Sequence, residues 1–454
     1  MIETIDPATG QVLERFALMD GEQIGAKLDA AVRCHARWAA APFEERGETL
    51  RAIAERLRAE RDALAVTAVR EMGKPVLQAR AEIEKCAWAL DYFAEHGNAM
   101  LSAQATPSSA ARSYVAFRPL GVLLAIMPWN FPYWQVVRAA APAMMAGNTM
   151  VLKHAANTTR CALELERVFR DAGAPEGLLG ALIARGDGIE SVVADPRIAA
   201  VTLTGSERAG ASVGRTAGNA LKKCVLELGG SDPFVVFADA DLDAAARTAV
   251  TARFQNNGES CIAAKRFIVE EAVHDAFARR FVELTQAQIV GNPIEERVQI
   301  GPCAREDLRA SVHAQVAASL AKGAQLALGG KTIDGAGYFY EPTIVTEVEP
   351  GMPMFDEEVF GPAAAVVRAR DREHAIALAN ASSFGLGSSL WTRDVAAAEA
   401  FAARIEAGAV FINGMVASDP RLPFGGVKKS GYGRELSAFG IHEFVNIQTV
   451  WIGG

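Results

Sequence analysis

From residue 121 onward, short apolar runs alternate with stretches of helical periodicity, and this alternation restricts the chain more than any other feature. Residues 121–127 read as a buried strand that Pro128 and Pro132 close. Residues 133–145 read as a helix, 148–152 as a strand and 160–172 as a helix ended by Gly173-Ala174-Pro175. Residues 199–203 follow as a strand and 205–220 as a helix. Strands separated by helices pair side by side through crossovers, so the pattern predicts α/β architecture with a mainly parallel sheet. A second set follows residue 231. It has a helix over 239–254, capped by Asp239 or Asp241, and strands over 267–269, 339–345 and 364–367. Gly229-Gly230 marks the expected break between the two sets.

The first hundred residues read mostly as helix, with apolar residues at helical spacing over 46–69. Residues 112–117 alternate as an edge strand does and call for a partner. The extended C-terminal stretch 444–452 is a candidate for that partner, within the chain or from another subunit.

With 454 residues, half of them hydrophobic, the chain is long enough for two to three domains. The net charge is −8 with no basic block, which argues against nucleic acid as a partner. The N-terminal residues lack the basic start and apolar stretch of a signal peptide. The most apolar segments are interrupted by Pro128, Pro132 and Pro142, so no membrane span is expected. Six scattered cysteines (Cys34, Cys86, Cys161, Cys224, Cys261 and Cys303) form no CxxC pair. That pattern predicts reduced thiols, no metal site of the CxxC type and a cytoplasmic home.

Three residues carry chemistry in their local setting. Cys261 follows Asn256-Asn257-Gly258-Glu259-Ser260 on a turn, where backbone N–H groups favour a thiolate. A lone cysteine is commonly a small buried hydrophobe, and the other five are read that way. Glu227 lies between Leu226 and Leu228, where an apolar setting raises a carboxyl pKa and suits a general base. Asn130, in Pro128-Trp129-Asn130-Phe131-Pro132, is held rigidly enough for its amide to serve an oxyanion.

Six stretches, taken in order, resemble the aldehyde dehydrogenase superfamily from about Asp6 to the C-terminus. Besides the two just given around Asn130 and Cys261, they are Leu203-Thr204-Gly205-Ser206, Leu226-Glu227-Leu228-Gly229-Gly230, Glu358-Val359-Phe360-Gly361-Pro362 and Pro423-Phe424-Gly425-Gly426. The short N-terminus and the context of Cys261 look most similar to short bacterial succinate-semialdehyde dehydrogenases. The resemblance implies NAD(P)-dependent oxidation of an aldehyde through a thiohemiacetal and a thioester on Cys261. Glu227 would activate the thiol or the hydrolytic water. Asn130 and the Cys261 N–H would hold the oxyanion. The fold implied is a Rossmann-like cofactor domain (1–101 and 120–228), an α/β catalytic domain (229–435) and a small β arm (102–119 and 436–454) that joins subunits into a homodimer or homotetramer.

No GxGxxG follows the first parallel strand. Instead Thr204-Gly205-Ser206 closes a strand and opens a helix, where N–H groups meet a pyrophosphate; Gly205 and Gly210 would keep that approach open. By resemblance, Lys153 meets the adenosine ribose, Glu358 the nicotinamide ribose, and Phe360 packs near the nicotinamide. Trp129, Leu228 and Gly229 complete the expected cofactor contacts. Many NAD-preferring relatives carry an acid where this chain has Ala156. Its absence leaves Lys153 able to pair with a 2′-phosphate, so NADP is favoured over NAD. Glu259 stands where relatives often have Gln.

Semialdehyde-oxidising relatives also carry an arginine at the position of Arg138, and an arginine grips a carboxylate bidentately. Trp134, Ser260, Ser418, Arg421 and Phe424 are expected to line the same funnel. Succinic semialdehyde is the substrate this implies; another semialdehyde, such as glutarate semialdehyde, or an uncharged aldehyde is the alternative. A cysteine hydrolase would need a histidine beside Cys261, and no histidine has a motif context. A purely structural protein would tolerate losing Cys261, Glu227 or Asn130, and all three are present.

Overall fold

The computed structural model describes residues 1–453; Gly454, the last residue of the expected arm, lies outside them. The architecture is α/β, with two mainly parallel sheets and three small antiparallel ones. The first sheet runs Gly431–Tyr432, Lys223–Glu227, Ile198–Thr204, Val122–Met127, Thr149–His154, Leu179–Leu182 in spatial order, all parallel except the two-residue first strand. The second runs Gln325–Leu328, Thr343–Thr346, Ala363–Ala369, Ala264–Glu270, Asp232–Val236, Gly387–Trp391, Ala409–Ile412, and only its first pair is antiparallel. Gly229-Gly230 connects a strand of one sheet to a strand of the other. The chain returns to the first sheet at Gly431–Tyr432.

These two sheets bring the motifs together. At the carboxyl ends of four neighbouring strands of the first sheet sit Asn130, Lys153, Thr204 with Ser206, and Glu227. Ligands of open α/β sheets bind at such ends. At the amino ends of three neighbouring strands of the second sheet sit Gly229-Gly230, Cys261, and Glu358 with Phe360.

Four helices precede the sheets: Gly21–Trp38, Phe43–Ala59, Arg61–Met72 and Val76–Leu101. The first starts with a capping box between Asp20 and Gln23 and buries Leu28, Ala31, Cys34 and Trp38 at helical spacing. The last packs closely on the helix Trp134–Met145; a Cβ at Gly97 would meet Met145 Cγ at 2.3 Å. The core beneath them joins Ile83, Leu90, Phe93, Val137 and Met144.

Two local expectations are corrected, and the choice between two candidate caps is resolved. The helical N-terminal region opens with a hairpin, Ile2–Asp6 on Gln11–Phe16, whose strands are short and the second of which is mostly exposed. Asp241, not Asp239, caps the helix Leu242–Phe254 by accepting from the Ala244 N–H; Asp239 instead accepts from Thr392. The strand expected over 339–345 begins only at Thr343. The C-terminal strand Val445–Ile452 pairs antiparallel with Arg112–Pro119 along its whole length, so the alternating segment finds its partner within the chain. Among the described residues no helix is long and apolar enough to cross a membrane.

Candidate active site

The loop before Cys261 is built from residues in left-handed backbone. Asn256 and Asn257 have φ of 53° and 60°, and Gly258 has φ of 74°. Asparagine and glycine tolerate this region best. A Cβ at Gly258 would lie 2.4 Å from the Gly361 carbonyl oxygen. Asn257 ties the loop down, donating to the Gly73 and Pro302 carbonyls at 2.9 Å and accepting from the Gly301 N–H at 2.7 Å. Two buried cations, neither singled out from the sequence, finish the construction. Arg253 donates to the carbonyls of Gly258 (2.8 Å), Val359 (3.2 Å), Ala264 (3.2 Å) and Gly361. Lys265 Nζ donates to the carbonyls of Ser260 (2.8 Å) and Cys261 (2.7 Å) and lies 3.5 Å from Glu358.

Cys261 emerges half-buried from this loop, while the other five cysteines are buried; all six are free. Burial pushes its thiol up to about 12, against the opposing pull of Arg138 and Lys265. Such a thiol is protonated at neutral pH and needs a base before it attacks.

Asn130 is 3 % exposed. Its Nδ2 donates to the Glu259 carbonyl at 3.0 Å, and its own carbonyl accepts from Asn256 at 2.9 Å. The amide therefore lies against the backbone that leads into Cys261. Glu259 is buried, its carboxylate accepting from the Ala304 N–H at 3.0 Å. Burial raises its pKa. Its contribution is to hold this loop rather than to face the cavity.

Glu227 ends its strand 2 % exposed, and neither carboxylate oxygen has a hydrogen-bond partner among the described residues. Burial raises its pKa well above the usual range, and neighbouring Glu435 raises it further; Arg138 and Arg434 pull the other way. An unpartnered buried carboxyl of this kind is available for proton transfer. Gly425 is obligatory beside it, since a Cβ there would stand 2.6 Å from Glu227 Oε1.

The residues expected at a dinucleotide lie along the sheet ends. Ser206 caps the helix Glu207–Asn219, accepting from the Ala209 N–H, and Gly205 has no close neighbour that a Cβ would strike. Gly210 does not keep the approach open as expected: the Leu228 side chain fills its place, 2.5 Å from where a Cβ would be. Lys153 is half-buried at the end of its strand, and Ala156 is exposed in the turn that follows. Glu358 lies against Gly229, accepts from the Gly230 N–H at 3.0 Å and faces Lys265. Phe360 meets Trp129 edge-on at 5.7 Å. These groups suit a dinucleotide: an open helix N-terminus for phosphates, a cation beside a small exposed residue for the ribose end, and an aromatic edge toward the other sheet. No cluster of three or more His, Cys, Asp or Glu able to hold a metal exists among the described residues.

A cavity of about 610 Å³ opens onto Cys261, and Trp134, Arg138, Ser260, Ser418 and Phe424 all line it. Arg421 does not; it is exposed and pairs with Asp419 at 2.6 Å. Arg138 is 2 % exposed. Its Nε pairs with Glu435, its Nη2 donates to Thr204 at 3.1 Å, and its guanidinium lies 4.5 Å from the Phe424 ring. Sequence reasoning missed Glu435, Gln135 and the face of the helix Val76–Leu101. From that helix Glu82 accepts the N–H groups of Tyr133 and Trp134 at 2.9 Å, anchoring the helix that carries Arg138, and is itself paired with buried Lys74. Lys85, on the same face, reaches Ser418.

The model of the aldehyde dehydrogenase family matches residues 1–450. The succinate semialdehyde dehydrogenase [NAD(P)+] Sad of Escherichia coli K12 is 52% identical over 99% of this chain and 97% of its own length. A succinate-semialdehyde dehydrogenase [NADP(+)] 1 of Mycobacterium bovis is 50% identical over 99% of both chains. The crystal structure of a succinic semialdehyde dehydrogenase from Streptococcus pyogenes, solved with NADP+ as cofactor, superposes with a TM-score of 0.98 at 37% identity, covering 100% of both chains. Sequence, fold and the disposition of cysteine, amide and carboxylate agree: the chain belongs to the aldehyde dehydrogenase family.

Proposed function

We propose that the protein oxidises succinic semialdehyde to succinate with NADP+ in preference to NAD+. The observation that carries this reading is the cavity itself, in which a half-buried thiol shares an apolar chamber with the cationic side chains Lys85, Arg138 and Arg247. The one carboxylate on its wall, Glu82, is already paired with Lys74. A chamber of that charge suits an aldehyde with a carboxylate at its far end. The names of the relatives support the same substrate and cofactor.

In this mechanism Glu227 takes the Cys261 proton. The thiolate attacks the aldehyde carbon, and Asn130 Nδ2 with the Cys261 N–H stabilises the oxyanion of the thiohemiacetal. NADP+, when bound, would supply the hydride acceptor for oxidation to the thioester level; Thr204, Gly205, Ser206, Lys153, Leu228, Gly229, Glu358, Phe360 and Trp129 would hold it. Glu227 passes the thiol proton to solvent and, again a carboxylate, removes a proton from water. Hydroxide adds to the thioester carbonyl, the C–S bond breaks, and the carboxylate leaves with the thiol restored. Arg138 contributes positive charge to the chamber, its Nε paired with Glu435 and its Nη2 donating to Thr204.

The paired strands Arg112–Pro119 and Val445–Ile452, with Ile447 60% and Trp451 57% exposed, support assembly into a homodimer or homotetramer. Six unpaired cysteines support a cytoplasmic location. The deciding assay follows reduced-nicotinamide absorbance with succinic semialdehyde, glutarate semialdehyde, butanal and benzaldehyde, each with NADP+ and NAD+. Succinic semialdehyde with NADP+ is expected to give the highest kcat/KM, and Cys261→Ala to give none. Preference for an uncharged aldehyde overturns the substrate, and turnover by Cys261→Ala overturns the thioester.

A further inference from the structure

Lys265 reaches back from the strand Ala264–Glu270 to the turn that carries the nucleophile, and its side chain is wholly buried. Nζ donates to the Ser260 carbonyl at 2.8 Å and to the Cys261 carbonyl at 2.7 Å, and Glu358 Oε1 stands 3.5 Å away. A Cβ on Gly230 would lie 2.6 Å from the Cys261 carbonyl oxygen, so the glycine link between the two sheets leaves that oxygen room to meet the ammonium. The Ser260 carbonyl and the Cys261 N–H belong to one peptide group. The carbonyl also accepts from the Ala263 N–H at 3.1 Å, whereas among the described residues the Cys261 N–H donates to no backbone carbonyl.

An ammonium on a peptide oxygen draws charge out of the conjugated N–C–O unit, and the N–H at its other end becomes a stronger donor. A charged donor does this more than a neutral one, and away from water its field is not screened. Glu358 and Asp232 favour the charged form of Lys265 against the cost of burial. Arg253, the other buried cation behind the turn, holds the Gly258 carbonyl, two peptides earlier, and does not touch this N–H. We propose that Lys265 is a positioning residue that acts through the Ser260–Cys261 peptide: its ammonium polarises that group and strengthens the Cys261 N–H as an oxyanion donor. The same donor serves the attack on the aldehyde and the attack of water on the thioester, so one lysine assists both. This rests on the reading that the Cys261 N–H faces the oxyanion.

Ser260-Cys261 is the only Ser-Cys step in the sequence. Labelling serine with carbonyl 13C and cysteine with 15N therefore isolates this one peptide in an HNCO spectrum of the deuterated enzyme. In wild type the Ser260 carbonyl carbon and the Cys261 amide proton are expected downfield of ordinary values; ordinary shifts overturn the proposal, even where no Lys265 variant folds. Lys265→Gln keeps a neutral donor and removes the charge. It is expected to move both signals upfield and to lower kcat about tenfold, equally for succinic semialdehyde and butanal, with KM little changed. Signals that stay in place overturn the role of Lys265 whatever happens to kcat, since a merely structural side chain would cost activity without depolarising the peptide. Signals that move while kcat holds overturn the proposal through its premise, that this N–H faces the oxyanion.

Discussion

Gln135 Nε2 donates to Asn130 Oδ1 at 3.0 Å and braces the Asn130 amide. The Glu259 carbonyl can only accept, so Nδ2 must face it; Gln135 donates from the opposite side and agrees with that choice. The oxyanion donor is thus held by a residue five positions further along the chain.

Asn130→Ala is therefore expected to lower kcat by about 10²- to 10³-fold. Gln135→Leu leaves the amide in place but unbraced, and a loss of roughly tenfold is expected, equal for succinic semialdehyde and butanal because the carbonyl end of both is the same. Steady-state kinetics on the two substrates check this. An effect of Gln135→Leu confined to one substrate would place Gln135 at the substrate tail instead.

Glu227 titrates above the ordinary carboxyl range because of burial and of Glu435 beside it. A raised pKa keeps the acid protonated at low pH, so the base form appears, and thioester hydrolysis speeds up, as pH rises. Glu227→Gln should flatten that rise and let the acyl-enzyme accumulate, seen by intact-protein mass spectrometry after mixing with substrate. Wild-type turnover by this variant, with no adduct, contradicts the assignment of the base.

Lys85 is held down to about 8, first by burial and then by the Arg138 charge; Cys86, Asp419 and Glu82 oppose the shift. The charged form is present below that pKa and lost above it. The ratio of kcat/KM for succinic semialdehyde to that for butanal should accordingly fall as pH rises through about 8, while ionisations shared by both substrates cancel. A flat ratio from about pH 7 to 9 would show that this cation adds nothing to the chamber's preference for a carboxylate.

Lys74 and Glu82 form a fully buried ion pair beneath Phe131. Lys74→Met leaves the carboxylate without its counter-charge, and a loss of about 3–5 kcal/mol in unfolding free energy is expected. Adding Glu82→Leu should not restore stability, since the Tyr133 and Trp134 N–H groups then lose their acceptor. Urea unfolding of the single and double variants checks both statements.

Ala156→Glu should move cofactor preference toward NAD+, because a carboxylate there repels a 2′-phosphate and accepts from a 2′-hydroxyl. The ratio of kcat/KM for the two cofactors is the readout. No change would remove Ala156 from the ribose site.

What could be read from the chain, and what could not, follows the distance over which a residue acts. The strand ends at Asn130, Thr204 and Glu227 are announced by apolar runs broken by Pro or Gly, and local spacing suffices for them. Lys85, Arg253 and Lys265 sit in ordinary helical or strand context and Lys74 in a short link between helices, and nothing nearby marks a lysine or arginine as buried. Some of their partners, such as Ser418 for Lys85 or Val359 for Arg253, come from remote parts of the chain. Arg138 was visible as an arginine on a helix; its partner Glu435 was not, because that acid belongs to the segment that folds back onto the first sheet. The opening hairpin escaped notice because its strands are short, and the second, Gln11–Phe16, is mostly exposed and shows no buried face until Phe16.

Arg253 grips Gly258, in the turn before the nucleophile, and Val359, in the loop that carries Glu358 and Phe360, with a single guanidinium. One bolt through two plates does not let either slide alone. Heat or denaturant that frees this side chain would disable the thiol and the nicotinamide end of the dinucleotide site in the same event, so inactivation and loss of cofactor affinity would share one rate constant.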